Sequence, residues 1–177
     1  MGASAARTRA NAVITVSKYE PSAYDEPAQG PALTRIHVEE QFSGDISGDG
    51  IVEFLQAARA DGPASFVGIE RVTGQVGGRR GTFLLQDAGT VRDEIVSGDW
   101  FVIPGSGTGE LTGLRGEGGF RANLGEGAEV HLDYWFELSE RVGDLDAAVI
   151  LAVVEVFGQD LRAADRPGRL DDRGVPV

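Results

Sequence analysis

A chain of 177 residues with 16 lysines and arginines against 28 aspartates and glutamates carries a formal net charge of −12 at pH 7. Such a surface repels nucleic-acid phosphates and anionic lipid, which argues against nucleic-acid and membrane partners. The absence of cysteine excludes a disulfide framework, thiolate metal sites and a cysteine nucleophile, and the length suits one domain with an ordinary core.

Residues 1–10 read as a disordered lead. In "MGASAARTRANAV" no apolar segment follows the arginines, so the stretch is not a secretory signal. The expected location is the cytoplasm. "NAVITVSKY" (11–19) is β-branched and alternating, a strand. "EPSAYDEPAQGP" (20–31) has three prolines and no period, so it reads as a loop long enough to act as a lid. "ALTRIHVEEQFSG" (32–44) alternates as a strand, "DISGDG" reads as a turn, and "IVEFLQAAR" (51–59) as a strand with a helix as the alternative. "SFVGIERVTGQV" (65–76) and "GTFLLQDAG" (81–89) flank "GGRR", a hairpin in which Gly77 and Gly78 supply positive φ. One strand ending at Pro104 is expected in 90–105, two short strands around Gly116–Gly119 in 107–124, and a strong strand in "AEVHLDYWFEL" (128–138). Turn signals about every 8–12 residues fit an antiparallel meander or barrel.

The barrel is thus expected over 11–138, with an extension over 139–177. There the period changes, and a helix is expected from about 145 to 164, capped by Asp144 and stopped by Pro167. Its middle is apolar nearly all round, which calls for packing on the barrel or on another subunit. A strand through "AVILAVVEVF" is the competing reading. The longest apolar run, "AAVILAVV", is too short to span a bilayer.

"VIPGSGTGELTGLRGEGGF" (102–120) raises the question of a phosphate cradle. A Walker A loop needs a lysine, and Arg115 is the only basic residue there. A dinucleotide fingerprint needs a third glycine where Glu110, Thr112 or Arg121 stands in the three possible registers. Ser106 lacks the flanking glycines of a nucleophile elbow. No nucleotide cofactor is expected, and the glycines read as permitting bends and close strand approach.

"FVGIERVTGQVGGRRGTFLLQDAGT" followed by "VIPGSGTGELTGLRGEG" resembles a bacterial family of small proteins of unknown function. The resemblance spans about residues 11–137. It implies an allene-oxide-cyclase-like barrel, antiparallel and roughly eight-stranded with a central cavity. Barrels related to that family include plant oxylipin cyclases, dirigent proteins and cyclases that close spiro rings in polyketides. The resemblance implies a fold and carries no shared catalytic motif.

In such a barrel alternate residues point inward. Glu70 lies in phase with Phe66, Gly68 and Val72, so an inward face makes it a buried carboxylate with a raised pKa, suited to acid–base work. Gln86, in phase with Thr82 and Leu84, is placed to orient a substrate carbonyl. Glu40, in phase with Ile36, Val38 and Phe42, is a cavity candidate, as are Phe66, Trp100, Tyr134 and Trp135. His37 with Glu39 and His131 with Asp133 fall on the more polar face of their strands, the outer one, so no metal is expected.

The expectation is an all-β barrel acting without cofactor as a cyclase or isomerase on a hydrophobic, unsaturated small molecule. The alternatives are a non-catalytic barrel that binds an apolar ligand, or a structural oligomer with a filled core. The apolar segment points to a homo-oligomer, a dimer or trimer. Removal of residues 143–177 is therefore expected to reduce particle size in gel filtration with light scattering, and an unchanged size removes the assembly role.

Overall fold

Strands half buried against a core need side chains alternating between two environments. The computed structural model, which describes residues 6–137, carries that alternation through eight strands. These are β1 (Thr8–Asp25), β2 (Ala32–Gly44), β3 (Ile46–Ala58), β4 (Ala64–Val76), β5 (Arg79–Arg92), β6 (Ile95–Val102), β7 (Leu114–Asn123) and β8 (Ala128–Phe136). Each pairs antiparallel with its sequence neighbour, and β8 returns to β1 over Thr8–Ile14, closing the barrel. The all-β antiparallel barrel expected from the sequence is present. Closure leaves those strands without a free edge there and encloses one apolar interior.

Why the strands turn where they do follows from local chemistry. Gly77 and Gly78 take φ of +56° and +84°, and Val76 pairs directly with Arg79, so the expected two-residue hairpin is present. The β5–β6 turn reaches the same geometry with Asp93 and Glu94 at φ of +51° and +61°, which no glycine advertises in the sequence.

Several boundaries differ from the sequence reading. Thr8–Ala10, placed in the disordered lead, begin β1, and Ala10 is buried. The proposed lid is largely strand. β1 continues to Asp25, with Pro21 opposite Ile36, and only 26–31 connect it to β2. Beyond Ile14, β1 has only β2 beside it, the kind of position where a strand tolerates proline. "DISGDG" is not a turn: Asp45 alone joins β2 to β3, its Oδ2 accepting from Asn11 N at 2.9 Å. Gly48 belongs to β3, where a Cβ would meet Gly74 Cα at 2.7 Å, so the glycine serves close strand approach. Residues 51–58 are strand, not helix.

The glycine run also divides differently. Gly116, Gly118 and Gly119 lie within one strand, β7, rather than between two. The segment before it, 103–113, crosses the end of the barrel and holds a single 3₁₀ turn, Gly109–Leu111. It is tied to β5: Ser106 Oγ accepts from Leu84 N at 3.0 Å, and Thr108 N donates to Thr82 O at 2.8 Å. Leu111 is thereby driven into the core with no exposure. The extension 139–177 and its expected helix lie outside the described residues.

Leu111→Ala is expected to destabilise the barrel by about 2–5 kcal/mol, the range for truncating a buried leucine, measured as a lower urea midpoint. A change below about 1 kcal/mol would show that the segment does not close the core.

Candidate functional site

Inward positions lie in hydrogen-bonded rows running from strand to strand. At the end formed by the 26–31, 59–63, 93–94 and 124–127 connections the row is Ala32, Ala58, Ala64, Val91, Val96 and Ala122, all partly exposed. Among the described residues this end is lined by small side chains, four of the six being alanine, whereas the opposite end carries the 103–113 segment. One row deeper, Phe66 and Phe120 stand to either side of Gly89 and Gly98. The next row reads Phe54, Gly68, Asp87, Trp100, the next Val52, Glu70, Leu85, and the next Glu40, Gly50, Val72.

Three acids therefore face the interior, one from each of β2, β4 and β5. Glu40 is 9% exposed, Glu70 2% and Asp87 2%. Each stands one row nearer the open end than the acid before it, a stagger that strand tilt in a barrel brings towards one level. Gly50 makes the room: a Cβ there would collide with Glu70 Oε1 and meet Glu40 Cγ at 3.0 Å. The acids lie along a seam between two apolar clusters. One contains Ile36, Val38 and Val52; the other, larger, contains Phe42, Val72, Phe83 and Leu85.

Burial sets their protonation. Glu70 is raised well above the ordinary carboxyl range by desolvation, then by the charges of Glu40 and Asp87 and by its hydrogen bond with Glu40. Glu40 is raised by burial, partly offset by that same hydrogen bond. The hydrogen bond thus raises Glu70 and lowers Glu40, the direction that goes with Glu70 as its donor. Asp87 is raised from 3.8 to about 7 by burial and by the charge of Glu40. Among the described residues, Glu70 Oε1 and both carboxyl oxygens of Asp87 are buried without a hydrogen-bond partner. Leaving such atoms unpaired costs about 1–3 kcal/mol each.

Aromatic rings occupy the same stretch of the interior. Phe54 meets Phe66 edge-on at 5.2 Å, Phe66 stacks on Phe120 at 6.2 Å, and Phe120 lies 5.5 Å from Trp100. Trp100 Nε1 donates to the His131 carbonyl at 3.0 Å, leaving its ring against Phe42 at 6.2 Å.

Of the residues singled out from the sequence, Glu70, Glu40, Phe66 and Trp100 come together here. Tyr134 faces inward at the other end, its hydroxyl against Gly77, and joins no acid. Gln86 is a correction: it points outward beside Phe101, because Phe83, Leu85 and Asp87 take the inner face of β5. The adjacent leucines of "FLLQD" leave the phase ambiguous, and Leu84 is half-buried on the outside beneath Ser106. Trp135 is the second correction, lying outside with the Arg7 guanidinium 4.4 Å from its ring centre. Asp87, Phe54 and Phe120 were missed. Asp87 was detectable only by choosing Phe83 and Leu85 as the inner phase.

The outer wall is charged and paired. Glu53 accepts from Arg35 Nε at 2.9 Å and lies 2.6 Å from His37 Nδ1, which hold its carboxyl down at about 2 and raise His37. Arg9 forms two bonds with Asp133, at 2.7 and 2.6 Å. Among the described residues no three His, Asp or Glu side chains stand at metal-ligating spacing. Two surface hollows, of about 660 and 480 Å³, lie over β5–β8, the first extending to β1, and are lined mainly by outward residues such as Arg121, Glu129 and Gln86.

Residues 10–134 match the sequence profile of a family described as "Protein of unknown function (DUF3224)". A solved structure from Shewanella oneidensis MR-1, described as a protein with unknown function from that family, is similar at 32% identity with a TM-score of 0.65. The match covers 75% of this chain and 99% of that one. No curated protein matches.

Because Asp87 binds its proton more tightly folded than unfolded, its contribution to stability is full below about pH 4 and declines as pH rises to about 7. The interval corresponds to about 4 kcal/mol at most; Glu70 and Glu40 act in the same direction. The urea midpoint of the wild type, compared with Asp87→Asn, should fall between pH 4 and 7, with the variant showing a shallower decline. Parallel profiles would show that Asp87 titrates normally.

Proposed function

The chain belongs to the family described as protein of unknown function (DUF3224), and we propose that it is a cofactor-independent enzyme of the cyclase or isomerase class. It acts on a hydrophobic, unsaturated small molecule held in the barrel. The reading is carried by Glu70, a fully enclosed carboxyl that keeps its proton and has one oxygen without a partner. A core built only for stability fills such a position with an aliphatic side chain, since burying an unpaired polar group opposes folding. A general acid needs the opposite, a proton held into the neutral range next to a group able to accept it. Glu40 is that acceptor.

The mechanism has two parts. Substrate enters past the alanine row and folds against Phe54, Phe66, Phe120 and Trp100, so the wall restricts it to a reactive shape and lowers the entropic barrier. Glu70 then donates its proton to a developing oxyanion or an unsaturated centre, while Glu40, through its hydrogen bond to Glu70, tunes the donor and receives the returning proton. The family that the sequence resembles has oxylipin and spiro-ring cyclases among its related barrels, so the fold is compatible with this class of reaction.

Screening unsaturated epoxides, enones and polyenes without added cofactor should yield an isomer or cyclised product. Glu70→Gln is expected to lower its rate about 100-fold or more, while Asp99→Asn on the outer face leaves it unchanged. Equal rates for Glu70→Gln and wild type remove the proton-transfer role. Tight binding across the panel without any conversion supports the non-catalytic carrier instead.

A further inference from the structure

The buried charged side chains among the described residues are Glu40, Glu70 and Asp87, all acids. Asp87 differs from the other two in its surroundings. Its row neighbours are Gly68 and Trp100. Gly68 has no Cβ, and the Phe54 ring occupies the position a Cβ would take. Two residues along the same face, Gly89 is covered by Phe66, whose Cζ would stand 2.5 Å from a Cβ there. Across β6, Gly98 is covered likewise by Phe120. Three rings thus lie over glycines of the wall, and with Trp100, in the row of Asp87, they occupy the same and the adjoining row as this acid, whose two oxygens have no partner.

We propose that the lumen binds an organic cation, a protonated or quaternary amine, between the Asp87 carboxylate and the rings of Phe54, Phe66, Trp100 and Phe120. This rests on the reading of the lumen as a small-molecule site and names the chemical class of its ligand. An anion is repelled by a carboxylate at Asp87 and by the negative faces of the rings. A neutral apolar ligand satisfies the rings and leaves the Asp87 oxygens unpaired. A metal ion requires several oxygen or nitrogen ligands, and no grouping at that spacing is present among the described residues. A cation on an alkyl frame satisfies both components, because the negative face of an aromatic ring attracts positive charge within about 6 Å. Phe54 and Phe120 are only partly buried and lie towards the alanine end, where the inward positions of the described residues are partly exposed.

The chain has two tryptophans, so Trp135→Phe leaves Trp100 as the sole fluorescent reporter, inside the cage. In this background choline is titrated against 3,3-dimethylbutan-1-ol, which has the same shape with carbon in place of the charged nitrogen. Choline is expected to shift Trp100 emission and to bind about tenfold or more tightly than the alcohol. Adding Asp87→Asn should reduce that preference to about twofold, and Phe120→Leu should weaken choline about fivefold while leaving the alcohol nearly unaffected. The Phe120→Leu comparison decides the matter if Asp87→Asn does not fold. Equal affinities for the two ligands, failure of choline to bind, or an unchanged preference in the folded variants overturns the inference. Proton transfer at Glu70 on a neutral substrate survives that result. It is decided separately, by conversion of the unsaturated panel and by the loss of rate in Glu70→Gln.

Discussion

Desolvation of carboxyl groups inside a closed barrel is the constraint on which the remaining features depend. Pairing of β1 with β8 removes the open edge, and the 103–113 segment places Leu111 across one end, so the interior acids have little water to solvate a charge. Under those conditions burial itself holds the proton on Glu70, and its neighbours, two more acids, push in the same direction. Three enclosed acids without a basic partner oppose folding. Replacement of buried polar groups by aliphatic ones of similar volume is often neutral or stabilising. The barrel therefore carries in its interior a feature that stability alone does not explain.

Glycine and aromatic residues answer one another throughout the lumen. Phe54 lies over Gly68, Phe66 over Gly89 and Phe120 over Gly98, and the Trp100 nitrogen stands 2.8 Å from where a Gly118 Cβ would be. The absence of a side chain on one strand is thus the seat for a ring from another. Gly50 does the same for polar atoms by admitting the Glu40–Glu70 pair. The high glycine content has a second cause beyond turns: it shapes the space around the acids.

The inner face was legible in the sequence wherever period-two alternation was unbroken. "RIHVEEQF" and "FVGIERV" place Glu40 and Glu70 among apolar neighbours of the same phase, and both are inside. In "TFLLQDAG" two adjacent leucines support either phase, so Gln86 took the place that belongs to Asp87. Prolines made 20–31 look like a loop because composition does not report that β1 there has a neighbour on one side only. "DISGDG" looked like a turn because the glycine needed for close approach to Gly74 has the same signature as a turn glycine. The turn at Asp93–Glu94 had no glycine to announce it. Trp135 was misplaced because an aromatic ring on the outer wall, covered by Arg7, carries the same strand signal as one inside.

The barrel wall sorts one residue type into two chemical populations. Outside, Glu53, Glu39 and Asp133 are paired with Arg35, His37, Lys18 and Arg9, and their carboxyls are held down, ionised across the neutral range. Inside, burial holds Glu40, Glu70 and Asp87 up. Within the inner group the hydrogen bond between Glu40 and Glu70 breaks the symmetry further, raising Glu70 and lowering Glu40. Two like residues in contact are thereby driven apart, one towards donor and one towards acceptor. Environments that push two carboxyls in opposite directions are what acid–base chemistry requires of such a pair. It arises from geometry alone, because Gly50 admits both side chains to the same space. Among the described residues no buried base shares that space, so burial and the contacts of the acids with one another set their protonation.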